Sequence, residues 1–111
     1  MTTKSEMTSK IFTALADPTR RRLLGLIAEK GQATATTLSN EVTVSRQAVV
    51  KHLIFLKEAD LVSNNRQGRE VRYTVRPQQL DETAKWMANL AKDWDKKLEA
   101  LKLQAESAKS D

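Results

Sequence analysis

Arg46, Gln47, Val50 and Lys51 carry the chemistry that this chain most plainly advertises. An arginine fork matches guanine O6 and N7, a carboxamide matches adenine N6 and N7, and a compact apolar group matches the thymine methyl. Lys51 suits a phosphate. A contact of Arg46 and Gln47 with phosphate alone is the plainer alternative. To read bases, these groups must sit in the first turns of a helix that can enter a major groove. The stretch Ser45-Arg46-Gln47-Ala48-Val49-Val50-Lys51-His52-Leu53 supplies such a helix. Ser45 is a good N-cap. Val49, Leu53 and Leu56 recur at i, i+4 and i+7, an inward face opposite the polar one. His52, the single histidine, reads as a packing residue or a phosphate neighbour.

Composition agrees with a polyanionic partner and removes several other classes. The 111 residues suit one domain, with a net charge of +5. Residues 1–76 hold 13 Lys/Arg against 7 Asp/Glu, whereas residues 77–111 hold 6 against 7. A basic body with a near-neutral tail separates anion contact from another task. Without cysteine there is no disulfide and no thiolate metal site. No apolar run approaches the roughly 20 residues of a membrane span, and the start is polar, without the apolar core of a signal peptide. We therefore expect a soluble, cytoplasmic protein without cofactor or metal. An enzyme is not expected, since no nucleophile elbow or phosphate loop is visible.

The elements that mount the reading helix follow in order. Residues 1–7 are expected to be disordered. Ile11, Phe12 and Leu15 make an apolar face on a first helix of about two turns. Asp17-Pro18 stops it and starts the next, with Asp17 as cap and Pro18 at the first position. Leu23, Leu24 and Ile27 face inward there, and Gly31 ends the helix. Arg20, Arg21 and Arg22 crowd its N-terminus against the macrodipole, which points either to a nearby anion or to a solvated basic patch. Thr34 or Thr36 can cap a short third helix with Leu38 and Val42 inward. A turn of about three residues then leads into Ser45, which makes a helix-turn-helix. Residues 61–66 and 69–76 read as strands joined by a tip in which Gly68 supplies positive φ. Val71, Tyr73 and Val75 alternate with Glu70, Arg72 and Thr74. Arg66, Arg69 and Arg72 lie at or near the tip. The fold class is thus mostly α with a small β-hairpin wing: a winged helix-turn-helix over residues 8–76.

Residues 77–108 form a final helix. Leu80, Ala84, Met87, Ala91, Trp94, Leu98, Leu101, Ala105 and Ala108 alternate steps of four and three, a heptad seam of roughly four repeats. Trp86 and Leu90 fall off that seam. A long stripe on so small a body is best used in a homodimer, the helix lying antiparallel to its copy. Folding back on its own domain is the alternative.

Several of these stretches resemble the ArsR/SmtB family of winged-helix repressors. Phe12-Thr13-Ala14-Leu15-Ala16-Asp17-Pro18-Thr19-Arg20 is similar to its opening signature. Residues 45–53, Leu56-Lys57-Glu58-Ala59-Asp60-Leu61-Val62 and Gln67-Gly68-Arg69-Glu70-Val71-Arg72-Tyr73 resemble its recognition helix and wing. The Trp94-Asp95-x-x-Leu98-x-x-Leu101-Lys102 stretch resembles a subgroup with a long last helix and no metal site. The resemblance implies a homodimeric repressor built through its first and last helices, with Phe12, Leu15, Met87, Ala91, Trp94, Leu98 and Leu101 at the interface. It also implies an imperfect inverted repeat in the protein's own or a neighbouring promoter. The family's metal sensors use cysteines, or histidine and carboxylate pairs on the last helix. This chain has no cysteine, and its last helix has no histidine. Thr43 stands where the family usually turns on glycine, and Thr37 replaces the usual capping glutamate.

The expected roles are then base contact for Arg46, Gln47 and Val50, and backbone contact for Thr34, Ser45, Lys51, Arg66, Arg69 and Arg72, on double-stranded DNA. A small organic inducer near Trp86 and Met87 is one expectation for the signal, and regulation by abundance alone or by a second protein is the equal alternative. The competing reading is a winged-helix protein-interaction module without a DNA target, which predicts an apolar rather than basic outer face on the reading helix. An architectural binder without base preference is a third.

Overall fold

The computed structural model describes residues 3–109. Its elements are α1 (Lys4–Ala16), α2 (Pro18–Lys30), β1 (Ala33–Thr34), α3 (Ala35–Ser39), α4 (Arg46–Glu58), β2 (Val62–Gln67), β3 (Glu70–Val75) and α5 (Pro77–Lys109). The chain divides into two units, one through Leu80 and one from Asp81 onward.

Helix α1 starts earlier than expected. Residues 4–7 are helical rather than disordered, and residues 1 and 2 lie outside the described part. The reason is a capping box at Thr3-x-x-Glu6. The Glu6 N–H donates to Thr3 Oγ1 at 3.1 Å and the Thr3 N–H to Glu6 Oε2 at 3.4 Å, so two orphan donors are satisfied reciprocally. Ile11 and Ala14 are buried, Leu15 packs partly on the core, and Phe12 stays 40% exposed.

Asp17 caps α2 as expected, accepting from the Arg20 N–H at 2.9 Å. That hydrogen bond holds the Asp17 carboxyl below the usual carboxylate range. Desolvation opposes it slightly, and the fields of His52 and Arg20 reinforce it. A folded-state pKa below the unfolded one gives stability that is complete above the ordinary Asp value of about 3.9 and lost as pH falls through the folded value. Asp17→Ala is therefore expected to lower the melting temperature at neutral pH. The difference from wild type should shrink as acid protonates the folded carboxyl, below the ordinary Asp value. An unchanged difference at neutral and acid pH would mean that the carboxylate charge is not what holds this helix start.

Two of the three arginines after Pro18 are engaged by the preceding helix. Arg20 donates to the Ala14 carbonyl at 2.8 Å (Nε) and the Thr13 carbonyl at 2.9 Å (Nη2), and Arg21 to the Leu15 carbonyl at 2.6 Å. Two cations thus satisfy the last carbonyls of α1 and complement the negative end of its dipole. The Arg20 guanidinium also lies 4.1 Å from the centre of the Phe55 ring, within cation–π range.

The sheet has three strands in the order β1-β3-β2, all antiparallel. The hairpin was expected, but β1 adds to it, pairing Ala33 with Tyr73 and Thr34 with Arg72. Gln67 pairs with Glu70 across the tip, and Gly68 has φ +64°, the backbone that so short a loop requires of its first residue. Tyr73 and Val62 are buried, as are Leu23, Ile27, Leu38, Leu53, Leu56 and Leu61. These side chains form one core beneath α4.

Helix α4 leaves through a Schellman closure. The Leu61 N–H donates to the Leu56 carbonyl and the Asp60 N–H to the Lys57 carbonyl, with Asp60 left-handed at φ 59° where glycine is usual. Its carboxylate accepts from Arg76 Nη1 at 2.7 Å and Gln79 Nε2 at 3.3 Å. This half-exposed pair offsets part of the backbone strain. Asp60→Ala, which keeps the strain and loses the pair, is expected to lower unfolding free energy by about 1 kcal/mol. Asp60→Gly, which loses the pair but relieves the strain, should be close to neutral. Urea unfolding of both variants checks the order.

Candidate nucleic-acid interface

Helix α4 presents its polar face to solvent because its other face is tied down. Ser45 Oγ accepts from the Ala48 N–H at 3.2 Å, which fixes the first turn. Val49, Leu53 and Leu56 are fully buried, which fixes its rotation. Gln47 and Lys51 then point outward and are exposed. Ile54 continues this exposed stripe; it lies three residues after Lys51, the helical neighbour spacing. Val50 is half-buried and packs against the core at the edge of the face. His52 is half-buried on the flank.

Arg46 is exposed, and its Nε donates to Thr36 Oγ1 at 3.1 Å. Thr36 is the second residue of α3, and sequence reasoning gave it no part in the site. Helix α3 is shorter than expected. It ends at Ser39, and residues 40–45 make a longer turn than the three or so anticipated, because the Glu41 N–H closes back on the Leu38 carbonyl. Val42 still packs against the core from this turn.

Thr34 caps α3 as expected, accepting from the Thr37 N–H at 3.1 Å. Its hydroxyl also donates to Thr37 Oγ1 at 3.0 Å. At the wing, Arg69 is exposed at the tip, and Arg66 Nε donates to the Gly68 carbonyl at 3.3 Å. Arg72 pairs with Glu70 at 3.2 Å. Thr36, Arg46, Val50, Arg69, Glu70 and Val71 share a cleft of about 520 Å³ between α3, α4 and the wing. Glu70 therefore places one carboxylate among the cations.

The unit from Asp81 carries the apolar stripe. Met87, Leu90, Ala91 and Trp94 line a groove of about 400 Å³ on α5. Leu90 thus joins the stripe instead of lying off it, because positions 87, 90, 91 and 94 share one helical face. Trp94 and Leu101 are each 60% exposed, and Leu98 is exposed as well. Leu80, expected to open the stripe, packs on the core of the first unit.

Comparison with known proteins places this geometry. A helix-turn-helix domain profile matches residues 15–63. The transcriptional repressor SdpR of Bacillus subtilis (strain 168) is 31% identical over 90 residues, 81% of this chain and 99% of that protein. An arsenic resistance transcriptional regulator of Pseudomonas putida is 31% identical over 87 residues, 76% of this chain and 68% of that protein. The solved structure of an ArsR-like transcriptional regulator from Rhodococcus sp. RHA1 superposes with a TM-score of 0.79 at 34% identity, covering 86% of this chain and 90% of that one. With the capped α4, the wing and near-full-length relatives in agreement, this chain belongs to the ArsR/SmtB family of winged helix-turn-helix transcriptional repressors.

Proposed function

We propose that this regulator works as a homodimer on an imperfect inverted repeat in its own or a neighbouring promoter. In this reading Arg46 and Gln47 contact base edges and Val50 meets a thymine methyl. Lys51, Ser45 and Thr34 hold the backbone beside them, and Arg66, Arg69 and Arg72 hold it from the wing. The observation that carries the reading is the two-sided α4, with Val49, Leu53 and Leu56 sealed in the core while Gln47 and Lys51 stand in solvent. The basic outer face also disfavours the protein-interaction alternative.

A two-fold would let two such helices reach successive grooves on one side of a duplex. Phe12 and Leu15 of α1 and Met87, Ala91, Trp94, Leu98 and Leu101 of α5 would form the interface. The exposure of the α5 stripe supports this, since a row of large apolar side chains in water marks an association surface.

The signal that releases DNA is proposed to be a small organic molecule rather than a thiophilic metal. A relative carries arsenic resistance in its name, but this chain has no cysteine. Among the described residues, no three His, Cys, Asp or Glu are grouped to hold a metal.

Footprinting on the upstream region of its gene tests the whole reading. We expect one saturable protected site. With about 6–8 phosphate contacts, log K should fall against log salt with a slope of about −5 to −7. Equal affinity for the protected site and a scrambled duplex at physiological salt would defeat it.

A further inference from the structure

We propose that Thr36 is a positioning residue for sequence readout, aiming the Arg46 guanidinium through its Nε. The inference rests on the reading of Arg46 as a base-contacting residue and names what sets its specificity. A guanidinium carries five N–H donors in a rigid planar fork. It can meet a guanine side-on, through Nε and one Nη, or end-on, through Nη1 and Nη2. Thr36 Oγ1 accepts from Nε at 3.1 Å, which removes the side-on approach and leaves the end-on fork free.

The acceptor is itself well held. Thr34 caps α3 through the Thr37 N–H at 3.1 Å, and Ser39 Oγ donates to the Thr36 carbonyl at 2.8 Å. Ala35 and Leu38 anchor the same short helix in the core. Arg46 and Thr36 are both exposed, so their bond adds little to folding. Its effect is to restrict an otherwise free long side chain before DNA arrives. The arginine then loses less freedom when it meets a base. The two residues lie on different helices of the helix-turn-helix, so the pair also fixes Arg46 relative to α3.

The test is site selection from random duplexes with the full chain and with Arg46→Ala, Thr36→Val and Thr36→Ser. Arg46→Ala should erase the preference at one position in each half-site. Thr36→Val, which keeps the shape and loses the acceptor, should reduce preference at that same position about three- to tenfold. Its affinity for non-specific duplex and its melting temperature should stay unchanged. Thr36→Ser, which restores the hydroxyl, should recover the preference. Full preference in Thr36→Val at the position that Arg46→Ala erases would overturn the proposal and leave the base-contact reading standing. Equal weakening on every sequence would overturn it as well. If Arg46→Ala changes no preference, the base-contact reading itself fails, and the proposal with it.

Discussion

Trp94→Glu and Leu98→Glu are each expected to give a folded monomer whose affinity for the palindromic site falls by about 100-fold or more. Both side chains stand largely in solvent within a single chain, so neither substitution opens a cavity. Glutamate is also a strong helix former, and α5 should persist by circular dichroism. In the proposed dimer each new carboxylate would have to leave water without a partner, which costs far more than the lost apolar contact. Two linked reading heads would become two separate ones, and the gain from a shared duplex would vanish. Sedimentation at micromolar concentration reads the association state directly. A wild-type chain that sediments as a monomer would remove the premise, and a Trp94→Glu chain that stays dimeric would move the interface elsewhere.

The second large effect belongs to α4. Arg46→Ala and Gln47→Ala should each cost about 1–3 kcal/mol of discrimination at one base position, while overall folding is untouched because both residues are exposed. Arg69→Ala should behave differently. It should weaken all sequences alike and reduce the salt slope by about one. Competition binding against single-base variants of the selected site separates the two patterns. If Arg69→Ala changed base preference while Gln47→Ala did not, the wing rather than the helix would be reading the sequence.

Much of this site could be read from the chain because its signals are local. Ser45, Asp17 and Thr34 cap helices through hydrogen bonds three residues long. Residues 49, 53 and 56 share a face by helical geometry alone. Gly68 marks the hairpin, and the alternation of β3 puts Tyr73 in the core.

The misses have physical causes. The Thr3-Glu6 box stands in a polar stretch that offers little apolar face to mark a helix. Strand β1 is two residues long and exists only because β3 is there to pair with it. The bonds of Arg20 and Arg21 to α1 depend on how the chain turns at Asp17. The contact between Thr36 and Arg46 spans ten positions and two helices. No periodicity announces such a pair.

The way this body holds its cations bears on how the protein would find its target. Arg20 and Arg21 are engaged by carbonyls, and Lys30 and Arg76 face carboxylates. A surplus of positive charge still draws the molecule toward a polyanion from a distance. Fewer cations are then free to clamp phosphates once it arrives. Such a molecule should reach chromosomal DNA quickly and let go of the wrong stretch quickly. Against the vast excess of competing sites in a genome, a short dwell on each of them favours occupancy of the right one.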